Sequence, residues 1–152
     1  MVKPIAWRFA SSWSCIRCGK CCMLQVPVKI GEALFFQKSF GSNVLEYFNK
    51  SFHIKKAANK YCVFLEWVKG KAFCTIYHSR PRACVLYPFY IYKDPLYGKE
   101  NMAKFTLFDE EYYVYIDAEC SGINIGYLPI SKNVTNAILF WLGKEFIKVF
   151  SH

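Results

Sequence analysis

The chain has 152 residues, enough to bury a core without staples, and its 54% hydrophobic and 19% aromatic content excludes a disordered polymer. The formal charge of +9 is uneven: residues 1–60 carry ten Lys and Arg against Glu32 and Glu46, while residues 61–152 carry ten against nine acids. A basic half suits an anionic partner or supplies counter-charge for thiolates. No apolar run reaches about 18 residues, so no membrane span is expected. The first fourteen residues lack the apolar stretch of a secretory signal, so the expected location is cytoplasmic.

In chain order, residues 1–14 read as an irregular arm whose aromatics pack near the following cysteines. Pro27 bars a helix and leaves a short extended piece over 26–30. Residues 32–38 read as a helix ended by Gly41-Ser42-Asn43. Val44, Leu45, Phe48 and Phe52 predict a second helix over 44–52, capped by Ser42 or Asn43. The lysine-rich stretch 50–60 reads as a linker or an exposed helix, with His53 on the surface.

A hairpin is expected over 61–67 and 71–77. A five-residue loop over 66–70 would set Cys62 opposite Cys74; a two-residue turn at Lys69-Gly70 would not. Ser79 and Pro81 predict the start of a short helix that holds Cys84 and ends at Pro88. Residues 89–93 are extended, and 94–98 form a turn. A second hairpin spans 103–108 and 112–118 through Asp109-Glu110-Glu111, and Cys120 to Gly126 is loop. Ser131 caps a final helix over 131–150.

The chemistry lies in the eight cysteines. Cys15, Cys18, Cys21 and Cys22 stand within eight residues, and Cys62, Cys74, Cys84 and Cys120 are dispersed. Close-set thiolates repel one another and oxidise readily, so a metal is the usual reason to keep them together. Four is the number that a tetrahedral zinc or one iron–sulfur cluster takes. The even count also permits disulfides, which the expected compartment opposes. Cys15-x-x-Cys18-x-x-Cys21 suits three corners of an iron–sulfur cube, and is equally two overlapping zinc knuckles. Adjacent side chains diverge, so Cys21 and Cys22 are expected to serve neighbouring sites, or Cys22 to be a buried thiol.

A radical-SAM cluster needs C-x-x-x-C-x-x-C, and Gln25 stands where the third cysteine would fall. A C-x-x-C redox pair belongs before a helix in a βαβ unit, and the surrounding cysteines favour ligation instead. Arg80 and Arg82 flank Pro81 and are candidates to donate to cluster sulfurs or to an anionic ligand, as a cofactor-binding pair. His78 is a candidate substitute ligand. No catalytic constellation independent of the cysteines is present, so enzymatic activity is left open.

Several motifs in order resemble the YkgJ-type cysteine-cluster family, which is described as zinc- or iron-chelating. They are the C-x-x-C-x-x-C-C run, Tyr61-Cys62-Val63-Phe64-Leu65, Cys74-Thr75-Ile76-Tyr77, Arg80-Pro81-x-x-Cys84, Tyr87-Pro88-Phe89 and Cys120-Ser121-Gly122-Ile123. Ser121 stands where the family has proline. The resemblance implies a metal ligand set of Cys15, Cys18, Cys21, Cys22, Cys62, Cys74, Cys84 and Cys120. Flagellin lysine methylases carry a similar cluster, but they are much longer, and this chain has no G-x-G-x-x-G loop.

The expected fold is α+β: a small single domain over 1–152, with short hairpins and a few helices arranged around a cysteine-ligated metal centre over 13–126 and a long C-terminal helix. The expected cofactor is an iron–sulfur cluster, [4Fe–4S] first, with zinc as the alternative. The expected role is electron transfer, metal handling or service as an accessory subunit of a larger protein or ribonucleoprotein complex. A zinc-stabilised module contacting RNA or an acidic protein through the basic N-terminal half is the second reading, and a lysine methylase-like enzyme a minor third.

Overall fold

The computed structural model describes residues 2–143. In chain order its elements are β1 (Pro4–Ala6), β2 (Pro27–Val28), α1 (Ile30–Phe40), β3 (Leu45–Phe48), β4 (Ser51–Ile54), β5 (Leu65–Val68), β6 (Lys71–Cys74), α2 (Arg82–Leu86), β7 (Phe89–Tyr92), α3 (Glu100–Ala103), β8 (Lys104–Leu107), β9 (Glu110–Asp117) and α4 (Ile130–Trp141). The fold is α+β, with every strand pairing antiparallel. The chain divides into two compact units: unit 1 comprises residues 1–16 and 86–152, and unit 2 comprises residues 17–85.

Unit 1 is built on β9, which pairs with β8 along its first half, β1 along its last residues and β7 between. Aromatic and β-branched residues fill β9, and Tyr112 to Asp117 are all buried. β1 replaces the irregular arm expected there, with Ile5 opposite Ile116. α4 starts at Ile130 with Pro129 at the N-cap, so Ser131 lies inside the helix rather than capping it. Val134, Ala137 and Ile138 on α4 are fully buried. The expected continuation toward Phe150 falls, from residue 144 on, outside the described residues.

Unit 2 combines the three-stranded sheet β2-β4-β3, the hairpin β5-β6 and helices α1 and α2. Its core is Val26, Val28, Ala33, Phe36, Ile54, Phe64 and Ile76. Phe36 and Ile54 are each 1% exposed, worth about 1.5–3 kcal/mol apiece on area grounds.

The helix predicted over 44–52 is instead the β3–β4 hairpin. Asn49 and Lys50 both adopt positive φ (50° and 61°), the two-residue turn whose twist matches paired strands. Nor is the 50–60 stretch a linker. It continues through β4, and Lys56 bridges Cys62. His53 is buried, with its ring stacked on Phe48 at 4.0 Å.

Candidate metal centre

Six of the eight cysteines belong to unit 2: Cys18, Cys21, Cys22, Cys62, Cys74 and Cys84. Arg17 (φ 58°) and Gly19 (φ 80°) both take the left-handed conformation before a short 3-10 turn, Lys20–Met23. Gly19 is obligatory there, because a Cβ would lie 2.8 Å from the Trp67 indole. The turn is closed by Cys22 N–H donating to the Gly19 carbonyl, 3.0 Å, and Leu24 N–H to that of Cys21, 3.1 Å. Half-buried Cys18 lies between the two left-handed residues.

The Cys22 thiol, ahead of burial, drives the Cys21 thiol far above its usual range, so the two neighbouring side chains bear on each other. Cys62 is tied to this turn by its N–H, which donates to the Cys22 carbonyl at 2.8 Å.

The two-residue turn at Lys69-Gly70 places Leu65, not Cys62, opposite Cys74. Cys62 comes back toward Cys74 by a separate turn, in which Leu65 N–H bonds the Cys62 carbonyl at 3.0 Å. Phe64 N–H donates to the Cys62 sulfur at 3.5 Å, and Ile76 N–H donates to the Cys74 sulfur. An amide two residues on, aimed at the sulfur, favours the thiolate form that a metal requires. Cys84 sits in the first turn of α2, its N–H donating to the Pro81 carbonyl at 2.9 Å. Pro81 precedes this helix, and Ser79 ends a 3-10 turn of its own instead of capping α2.

Cys62, Cys74 and Cys84 all pack against the unit 2 core. Burial pushes the Cys84 thiol up to about 12, and the neighbouring Cys21, Cys62 and Cys74 add to it. Burial is also the first cause of the rise at Cys62 and Cys74, where each feels the charge of other thiols in the set. Arg80 works in the opposite direction on Cys21, Cys74 and Cys84. Its guanidinium lies 4.0 Å over the Tyr77 ring, and its Nε donates to the Tyr77 carbonyl at 3.0 Å.

Lys56, which the sequence reading assigned to a solvated stretch, is a second cation at this place. Its ammonium donates to the Cys22 carbonyl at 3.1 Å and to the Leu24 carbonyl, and its charge lowers Cys62. Nothing in the spacing marks it apart from Lys55. Arg82 contributes its backbone N–H to Glu32 Oε2, 2.7 Å. His78 is exposed, edge-on to Tyr77.

Cys15 and Cys120 belong to unit 1. Cys15 is exposed, and the Cys120 sulfur accepts the Trp13 indole N–H at 3.3 Å. All eight cysteines are free thiols. Among the described residues, no three His, Cys, Asp or Glu side chains are closed around a point that could hold a metal ion.

Residues 14–121 of the chain match the C-x-x-C-x-x-C-C family described as a "putative zinc- or iron-chelating domain". The chain belongs to this family. The match runs through every cysteine, from Cys15 to Cys120. No curated protein and no solved structure matches the chain. Membership of the family supports metal binding by the cysteine cluster, with zinc or iron as the ion. The donor set fits such an ion: soft thiols suit zinc and iron–sulfur centres alike. Two of these sulfurs already receive backbone N–H groups, and two cations offset the charge that ionised thiols would bring.

Proposed function

We propose that unit 2 holds an iron–sulfur cluster on thiolates drawn from Cys21, Cys22, Cys62, Cys74 and Cys84, and serves in electron transfer or as a cluster-bearing accessory subunit. The observation that carries this reading is the convergence of these thiols: the Cys62 N–H is held on the Cys22 carbonyl at 2.8 Å, Cys22 bears directly on Cys21, and Cys21, Cys62, Cys74 and Cys84 lie within one another's electrostatic reach. Five thiols exceed the four that either one tetrahedral zinc or one iron–sulfur cluster takes, so one of the five stays outside the ligand set. The packing of half-buried Cys62, Cys74 and Cys84 against the apolar core limits their contact with water, as an oxygen-labile cluster needs.

Such a cluster would supply one-electron chemistry. The protein's own residues would hold the thiolates, exclude solvent and set the local charge through Arg80 and Lys56. Protein purified without oxygen should be brown and carry about four iron and about four sulfide per chain. Colourless protein carrying only zinc would overturn the assignment and favour the metal as a scaffold.

A further inference from the structure

The division into units sharpens the charge pattern. Unit 2 holds twelve Lys and Arg against Glu32, Glu46 and Glu66, a net +9, while unit 1 holds eight of each sign and is neutral. The three ion pairs among the described residues, Lys3–Glu119, Lys93–Glu110 and Lys104–Glu111, all lie in unit 1. Counter-charge for the thiols does not account for the surplus. The cations that bear on them are half-buried Arg80 and Lys56, whereas eight unit 2 lysines are exposed. An unpaired excess of exposed lysine on one unit attracts a polyanion.

One part of this surface also offers an aromatic ring. Trp67, at the end of β5, keeps 44% of its surface exposed although its edge lies on Gly19 and Tyr61 packs edge-to-face at 5.6 Å. Those contacts fix the indole, and an exposed lysine is the chain neighbour of each of the two residues that touch it. Lys20 follows Gly19, Lys60 precedes Tyr61, and Lys69 opens the turn two residues after Trp67. A rigid exposed ring among lysines stacks a base while the ammonium groups meet the flanking phosphates. An acidic protein segment would use the charge and leave the ring without a planar partner.

We propose that the surface around Trp67, with Lys20, Lys60 and Lys69, binds single-stranded nucleic acid, the base stacking on the indole and the lysines contacting phosphates. The site is separate from the identity of the metal. The test uses the full chain with its metal in place and fluorescein-labelled oligo-U and oligo-dT, read by anisotropy across a salt series.

Binding should weaken with salt at a slope of about −2 in log K against log salt, from about −0.7 per phosphate contact. The double substitution K60E/K69E should flatten that slope to about −0.7. Trp67→Ala should weaken binding about tenfold, and Trp67→Phe should retain most of it. Preference for oligo-U identifies RNA as the ligand, and equal affinity identifies single strands in general. No binding at low salt, an unchanged slope in K60E/K69E, or displacement of the oligonucleotide by equal charge of polyglutamate would each overturn the proposal. If Trp67→Ala loses its seat on Gly19 and unfolds, K60E/K69E and Trp67→Phe decide.

Discussion

Glu32 and Arg82 are joined by a 2.7 Å hydrogen bond from the Arg82 backbone N–H to Glu32 Oε2, while Oε1 of the same carboxylate accepts the Lys29 N–H at 3.2 Å. One side chain therefore satisfies orphan amides at the starts of both α1 and α2, and its negative charge suits both positive helix ends. Because α2 carries Cys84, this contact fixes a thiol by way of a helix cap. Glu32→Ala should cost about 1–2 kcal/mol in chemical denaturation of the metal-loaded protein. Glu32→Gln, which keeps an acceptor oxygen, should recover part of it. A loss below about 0.3 kcal/mol in Glu32→Ala would show that water replaces both bonds.

Lys56→Met should lower metal affinity about tenfold or more, read by competition with a chromophoric chelator. The substitution keeps the aliphatic stem but removes the donor that holds the Cys22 and Leu24 carbonyls. Lys55 is exposed, so Lys55→Met, which removes the same charge from the next position, should leave affinity unchanged. Equal effects at the two positions would reduce the role of Lys56 to overall charge.

Chelation of the metal should raise hydrogen exchange around Cys21, Cys22 and Cys62 while Val114, Tyr115 and Ile116 stay protected. Those three are 0% exposed within the sheet of unit 1, whereas the 20–23 turn rests on a few short-range bonds, to which a bound metal would add. Simultaneous loss of protection in both places would contradict this.

Gly122→Ala should destabilise unit 1 by about 1–3 kcal/mol in thermal unfolding. A Cβ there would stand 2.2 Å from the Ser14 carbonyl oxygen, and Gly122 also accepts the Ser14 N–H at 3.0 Å. Gly31 in α1 has nothing within 4 Å of the same position, so Gly31→Ala should instead stabilise by about 0.5 kcal/mol. The same sign for both would show that backbone approach at Gly122 is not the governing constraint.

The sequence displays the hairpin at 65–74 through its Val68-Lys69-Gly70 turn, and the one at 104–117 because aromatic and β-branched residues dominate it. It conceals the 45–54 hairpin. Val44, Leu45, Phe48 and Phe52 happen to fall at helical spacing, and Asn49-Lys50 makes a positive-φ turn without the glycine that usually announces one. At the centre, the cysteines are legible as donors because thiols are rare and their spacing is regular. The influence of the Cys22 thiol on Cys21 is not, since it depends on the 3-10 turn after Gly19. Lys56 is invisible for a similar reason: only the pairing of 56 with 62 carries its ammonium to the carbonyls of 22 and 24.

The two units are not consecutive along the chain. Unit 1 takes residues from both sides of unit 2, and Ile5 of β1 meets Ile116 of β9. During synthesis from the N-terminus, all of unit 2 leaves the ribosome before β9 does. The thiol-rich segment can therefore close and take up its ion while the first strand still waits for its partner.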